Sequence, residues 1–393
     1  MSPDQSVKEA GEDRDKEAQG CLLRLRVFRV YRQYKGLELA GISRLATRER
    51  VYVHESPPRM STTSSSKQQQ FLYLTELGTL DLAKAAQDNA HVKIVIDAHV
   101  YAAIRDYRQS AGGECRDAIR TMSRYIVNRD MHVDATIAIM EACRNSKKHG
   151  RLTGDGPWRV LPAEKFRYYF EKFYATTGVF NCTAQNPNLI RSVATEYAQG
   201  RSVCEGHFSH AYLALAHASR IELDFAEPDY ERRLRLFVEW CLSRGVASPL
   251  ATAVATRLLA KNNGARMILK ISGGMSASER AKACRNATWD LMYYLQARDW
   301  NRSNYDLSAF CTADRGCWRV LSGITGVPDP NNKSELIWGL NQRTKDRLSS
   351  IQKEITHRVF EEFRERAGTI STSPEQLLDL LKREFPPEYE ACL

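Results

Sequence analysis

Four acidic residues stand in contexts that could gather carboxylates around one point: Asp97 at the end of His91-Val-Lys-Ile-Val-Ile-Asp, Glu141 in Asp134-Ala-Thr-Ile-Ala-Ile-Met-Glu, Asp290 in Asn286-Ala-Thr-Trp-Asp, and Asp314 in Cys311-Thr-Ala-Asp-Arg-Gly. Carboxylates drawn together from separate segments repel one another unless a cation lies between them. Such a cluster suits metal-dependent chemistry on a phosphate ester, where one or two divalent ions acidify the attacking water and neutralise the anionic target. Asp97, Glu141 and Asp314 are the expected metal ligands. Asp290 is a further ligand or acts through a metal-bound water, and Thr312 orients an acid or the water shell. The glycine pairs Gly112-Gly113 and Gly273-Gly274 lack a following Lys-Ser/Thr, so no phosphate-cradling loop competes with this reading.

The elements that would position these acids can be traced locally. Val92, Ile94, Val95 and Ile96 form a β-branched run that predicts a buried parallel strand, with Asp97 where the chain turns into a helix beginning near Val100. In open α/β sheets the carboxyl ends of the strands form the ligand crevice. A helix N-cap is the plain alternative for Asp97. Met131-His-Val-Asp predicts a second strand, followed by a helix from Thr136 that carries Glu141; a solvated surface Glu is the alternative there. A helix with an apolar face through Leu291, Tyr294 and Leu295 carries Asp290, and Leu307, Ala309 and Phe310 line a strand that ends at Thr312 and Asp314.

This order of strand-Asp, strand-helix-Glu, helix-Asp and strand-Thr-x-Asp resembles the PIN domain family of nucleases. The resemblance spans about 91–144 and 276–325, and its most specific matches are Ile94-Val-Ile-Asp97 and Thr312-Ala-Asp-Arg-Gly316. It implies a three-layer α/β/α sandwich around a mainly parallel sheet, Mg²⁺ or Mn²⁺ as cofactor, and metal-dependent endoribonuclease activity, with RNA the commonest substrate in the family and DNA the alternative. The chain departs from the family's pattern at His99, where a small polar residue is usual. A PIN-like protein that binds nucleic acid or regulates without cutting is the second reading.

Composition agrees with a phosphate-bearing partner: 57 Lys and Arg against 47 Asp and Glu give a net charge of +10 over 393 residues. Ten cysteines without C-x-x-C pairing indicate neither a zinc finger nor a disulfide framework, and reduced thiols in a cytoplasm fit them. No apolar run approaches a membrane span, and the polar, acidic first residues are unlike a signal peptide. A protein inhibitor and a homo-oligomer are both left open.

The chain divides into an extension over 1–70, a first part of the α/β domain over 71–150, a helical insertion over 151–270, a second part over 271–330 and a helical region over 331–393. Within the extension, apolar and basic residues alternate over 21–55 as in a basic β-ribbon, and 56–70 reads as a linker. A helix is expected over 71–89. In the insertion, Trp158 to Tyr174 mixes aromatic with basic residues; Phe166, Tyr169, Phe170 and Phe173 share helical spacing that favours packing, with Arg159, Lys165, Arg167 and Lys172 as nucleic-acid contacts, joined by Arg315 beside Asp314. Glu205, His207, His210 and His217 could form a second metal site, although satisfied or exposed helix histidines are the preferred reading. Helices are expected over 230–244 and 247–261, over 336–367, and from Ser373-Pro374 onward.

Overall fold

A computed structural model of the chain describes residues 73–74, 92–106, 131–144, 156–159, 162–176, 187–225, 229–261, 263–298, 307–312, 314–328, 336–340, 345, 348–367 and 372–392. The alternating segment 21–55, the linker 56–70 and most of the helix expected over 71–89 lie outside these residues.

The architecture is mostly helical around a small sheet, compatible with an α/β class. Strands β1 (Tyr73–Leu74), β2 (Val92–Ile96), β3 (Met131–Asp134) and β4 (Leu307–Thr312) lie in the order β1-β4-β2-β3. The central strand β2 pairs in parallel with both β3 and β4, in a register that sets Ile94 beside Val133 and Ala309. Ile94, Val95 and Ile96 are all fully buried. Because successive side chains of a strand point to opposite faces, this burial requires cover on both sides of the sheet, as the unbroken β-branched run demands. β1 pairs antiparallel with β4, Tyr73 opposite Thr312, and occupies its outer edge. The helix expected to begin at Phe71 is therefore corrected at these two residues: pairing with a strand far along the chain decides their conformation, and local spacing cannot report such pairing.

Each parallel strand runs into a helix. β2 leads to α1 (Ala98–Asp106), β3 to α2 (Thr136–Arg144) and, after two residues, β4 to α9 (Arg315–Leu321). Between α2 and β4 come α3 (Ala163–Thr176), α4 (Pro187–Asp224), α5 (Tyr230–Ser243), α6 (Pro249–Leu259), α7 (Asn263–Leu269) and α8 (Ala277–Arg298). The insertion is helical, and it shares its core with the sheet domain. Trp158, Phe208 of α4 and Trp289 of α8 form a triangle with ring centroids 5.0, 4.8 and 5.5 Å apart. α8 packs on α4, on β2 and on β4. The amphipathic face expected for α8 is too narrow: Leu291, Met292, Tyr293 and Tyr294 are all buried, as in a helix surrounded by protein.

The helix expected over 336–367 is also corrected. Leu336–Leu340 is strand β6, paired antiparallel with β5 (Ile324–Pro328), and helix α10 begins only at Ser350 and ends at Ala367. Here the preceding strand folds back on the segment, and the pairing overrides local helical spacing. Helix α11 (Pro374–Glu384) starts as the sequence indicates, and a further short helix, α12 (Pro386–Glu390), follows it. Ser373 and Gln376 form a reciprocal capping box, and Pro374 stands in the first turn. They are anchored by buried Glu388, which accepts from Arg220 Nη2 of α4 at 3.0 Å. Among the described residues, no helix is long and apolar enough to cross a membrane.

Candidate active site

The three parallel strands end alike. Asp97 Oδ1 accepts from Val100 N at 2.8 Å, Asp134 Oδ1 from Thr136 N at 2.9 Å, and Asp314 Oδ1 from Gly316 N at 2.6 Å and Cys317 N at 3.0 Å. Each carboxylate satisfies orphan amides of the helix that follows and sits in the positive field of its first turn. The N-cap reading of Asp97 and its placement at the sheet's carboxyl edge are thus both true of one side chain. The capping leaves Asp97 Oδ2 and Asp314 Oδ2 for other partners.

Thr312 joins the two acids. Its hydroxyl donates to Asp97 Oδ2 at 2.6 Å and accepts from the Asp314 amide at 2.9 Å. Asp97, buried to 2% exposure, is thereby held against the end of β4, and its own amide continues the ladder by donating to Cys311 O at 3.1 Å. His99, in the first turn of α1, is exposed. Asp314 Oδ2 accepts from Lys270 Nζ at 2.7 Å. Burial pushes the Asp314 carboxyl up, but the Lys270 contact and the two helix amides outweigh it, and its pKa falls below the ordinary value.

Helix α8 contributes along one face at spacings of three. Asp290 faces the acids, Tyr293 donates from its hydroxyl to Glu141 Oε2 at 2.5 Å, and Gln296 Nε2 donates to Asp134 Oδ2 at 2.9 Å. The Tyr293 ring stacks on Phe310 of β4, centroids 5.7 Å apart. Burial, then the neighbouring Glu141, Asp314 and Asp97 charges, raise the Asp290 carboxyl well above its ordinary pKa, with Lys270 opposing. Asp290 accepts no hydrogen bond from the described residues. Burial and Glu141 likewise raise the Tyr293 phenol, which remains a donor.

The four acids read from the sequence therefore belong to one electrostatic neighbourhood. Their donor atoms are all carboxylate oxygens, the class that hard divalent ions take, and Asp290 accepts no hydrogen bond from the described residues. The adjacent thiols do not alter this, because burial and the acids raise Cys317 and burial raises Cys311 away from the thiolate form. The arrangement is open. Among the described residues, no three His, Cys, Asp or Glu side chains are gathered closely enough to hold a metal ion as they stand.

Lys270, Tyr293, Gln296 and Asp134 are the members that sequence reasoning missed. Tyr293 and Gln296 did carry a signal, polar groups three and six residues beyond Asp290 on the same helix. Lys270 carried none.

The segment 158–174 packs against α1 through its aromatic residues. Phe173 of α3 packs on Tyr101 of α1, centroids 5.0 Å apart, and Phe166 and Phe170 are buried, whereas Tyr169 is only partly so. Arg167 and Lys172 are exposed, Arg167 paired with Glu171 at 2.8 Å and Lys172 above the Tyr168 ring; Lys165 is half-buried. Arg159 precedes α3 and is half-buried. Arg315 opens α9, and its side chain is outside the described residues. The histidines do not converge: His207 is exposed, His210 Nδ1 accepts from Ala247 N at 3.0 Å, and His217 stacks on Trp240 at 4.1 Å.

Comparison with protein-family models, with curated proteins and with solved structures finds no match.

Proposed function

We propose that the chain is a metal-dependent endoribonuclease with a PIN-like arrangement, its sheet the middle layer of an α/β/α sandwich. The observation that carries this reading is Asp290, a carboxyl raised by the neighbouring charges of Glu141, Asp314 and Asp97 and accepting no hydrogen bond from the described residues. Carboxylates so placed repel one another, and a proton or a cation relieves that; a cation would serve all four acids together. Asp97, Glu141, Asp290 and Asp314 would hold Mg²⁺ or Mn²⁺, which supplies an acidified water and charge neutralisation at the phosphate when bound. The protein's own groups do the positioning. Thr312 fixes Asp97 against Asp314, the amides of two helix N-termini donate to both carboxylates, and Tyr293 sets the rotamer of Glu141. The net positive charge favours a polyanion, and Arg159, Lys165, Arg167 and Lys172 would add phosphate contacts.

One observation favours a second reading. The Lys270–Asp314 pair gives the acids a cation from the protein itself, which a nucleic-acid-binding or regulatory protein of this fold without cleavage activity would need. The two separate by experiment. Purified protein should cleave single-stranded or structured RNA with Mn²⁺ or Mg²⁺ and stop in chelator, and Asp97→Asn should abolish cleavage while RNA binding persists, since it removes a ligand charge at nearly constant shape. Retained cleavage in that variant rules out the acidic mechanism; tight, metal-independent RNA binding with no cut product favours the second reading.

A further inference from the structure

Helices α4 and α5 pack on each other and leave a groove of about 420 Å³ between them. That volume lies in the range of small-molecule sites, roughly 300–1,000 Å³. His217, Ile221 and Phe225, one helical turn apart, line it on the α4 side, and Leu236, Glu239 and Trp240 line it on α5. Phe225 is 52% exposed and Leu236 37%, so apolar surface faces water here. The His217 ring stacks on Trp240, centroids 4.1 Å apart at 18°. Burial lowers the His217 pKa to about 4, so at neutral pH the ring brings no positive charge to the groove.

The polar groups along the groove are engaged, with one exception. Trp240 Nε1 donates to Glu384 Oε2 at 2.8 Å, and Ser243 Oγ donates to Trp240 O at 3.0 Å. The cations next to the lining residues in sequence are paired as well, Arg220 with Glu388 at 3.0 Å and Arg244 with Glu384 at 2.6 Å. Glu239 is exposed, and among the described residues it has neither a hydrogen bond nor an ion pair. Apolar walls with one unpaired negative charge complement an apolar group that carries a positive one.

We propose that this groove binds a small organic cation, an ammonium joined to an apolar ring or chain, with the apolar part against Ile221, Phe225 and Leu236 and the ammonium on Glu239. The charged end stays at the exposed rim, so the pair avoids the desolvation that offsets a buried one. Apolar contact supplies most of the affinity, and the carboxylate selects the sign of charge. The site shares no residue with the four acids and is independent of the nuclease reading.

The test titrates the full chain with two probes of similar shape and opposite charge, phenethylammonium and 3-phenylpropionate, and reads binding by calorimetry and ligand-observed NMR. The net charge of +10 favours the anion, so a preference for the cation reports the groove. Phenethylammonium should bind with a dissociation constant on the order of millimolar, as suits so small a ligand, and 3-phenylpropionate more weakly. Glu239→Gln should weaken the cation by roughly twofold to fivefold, the scale of an exposed ion pair, and leave the anion no weaker. Phe225→Ala should weaken both probes. Both side chains are exposed, so the variants should keep the parent's circular dichroism. No binding of phenethylammonium, equal binding of the two probes, or a charge preference that survives Glu239→Gln overturns the proposal. So does cation binding that Phe225→Ala leaves unchanged.

Discussion

Replacing Asp290 with Asn should reverse the order of stability between parent and variant when metal is added. Without metal, the Asp290 carboxylate meets three other acids and no hydrogen-bond donor from the described residues. Asp290 is partly exposed, so the relief comes from the repulsion of its three neighbours; Asn keeps the shape but loses the charge, and relief of about 1–2 kcal/mol, the scale of one pKa unit, is expected in chelator. With Mn²⁺ at a hundred times its dissociation constant, the parent gains about 2.7 kcal/mol by mass action, and a variant lacking a ligand charge loses most of that. The variant should then be the less stable protein by roughly 1 kcal/mol, the difference between those two figures. The pH dependence follows from the raised pKa. A carboxyl whose folded pKa lies above its ordinary value of 3.8 binds protons more strongly in the folded state, so the fold loses stability as pH rises from 3.8 through the raised value. The advantage of Asp290→Asn in chelator should be full in alkaline buffer and vanish towards pH 4, near that ordinary value. Thermal unfolding with chelator and with Mn²⁺, at two pH values, reads all of this as a change of sign. A variant less stable than the parent in chelator, or one with an undiminished Mn²⁺ shift, refutes the argument that Asp290 awaits a cation.

Two further outcomes probe the surroundings. Gly316→Ala places a Cβ 2.7 Å from Met267 O, so it should destabilise the fold by about 1–3 kcal/mol, as overpacking does, and weaken cleavage along with the Lys270–Asp314 contact; thermal unfolding equal to the parent's would show that α7 yields without cost. Changing Arg159, Lys165, Arg167 and Lys172 together to Gln should weaken RNA binding and reduce its salt dependence while Mn²⁺ affinity holds. Binding with the parent's salt slope would move the substrate path away from α3.

What the sequence determined by itself was local chemistry. Ile94-Val-Ile-Asp97 reads as a buried parallel strand with an acid at its end because a β-branched run suits a strand covered on both faces, and Asp suits the turn into a helix. Phe166, Phe170 and Phe173 declared a packed face by spacing alone, and Ser373-Pro374 declared a helix start. The tertiary structure decided whatever depends on partners distant in the chain. Tyr73–Leu74 is a strand because β4, far along the chain, pairs with it, information absent from its own neighbourhood; Leu336–Leu340 is one because the preceding strand folds back on it, a pairing that helical spacing does not report. Asp290 is a strained acid because Glu141, Asp314 and Asp97 surround it, although nothing in Asn286-Ala-Thr-Trp-Asp says so. Lys270, in a run without any motif, reaches Asp314 because one glycine lets two helices touch. Side-chain types and periodicity are written residue by residue, whereas electrostatic coupling and close approach are properties of pairs, and the pairs exist only once the chain has folded.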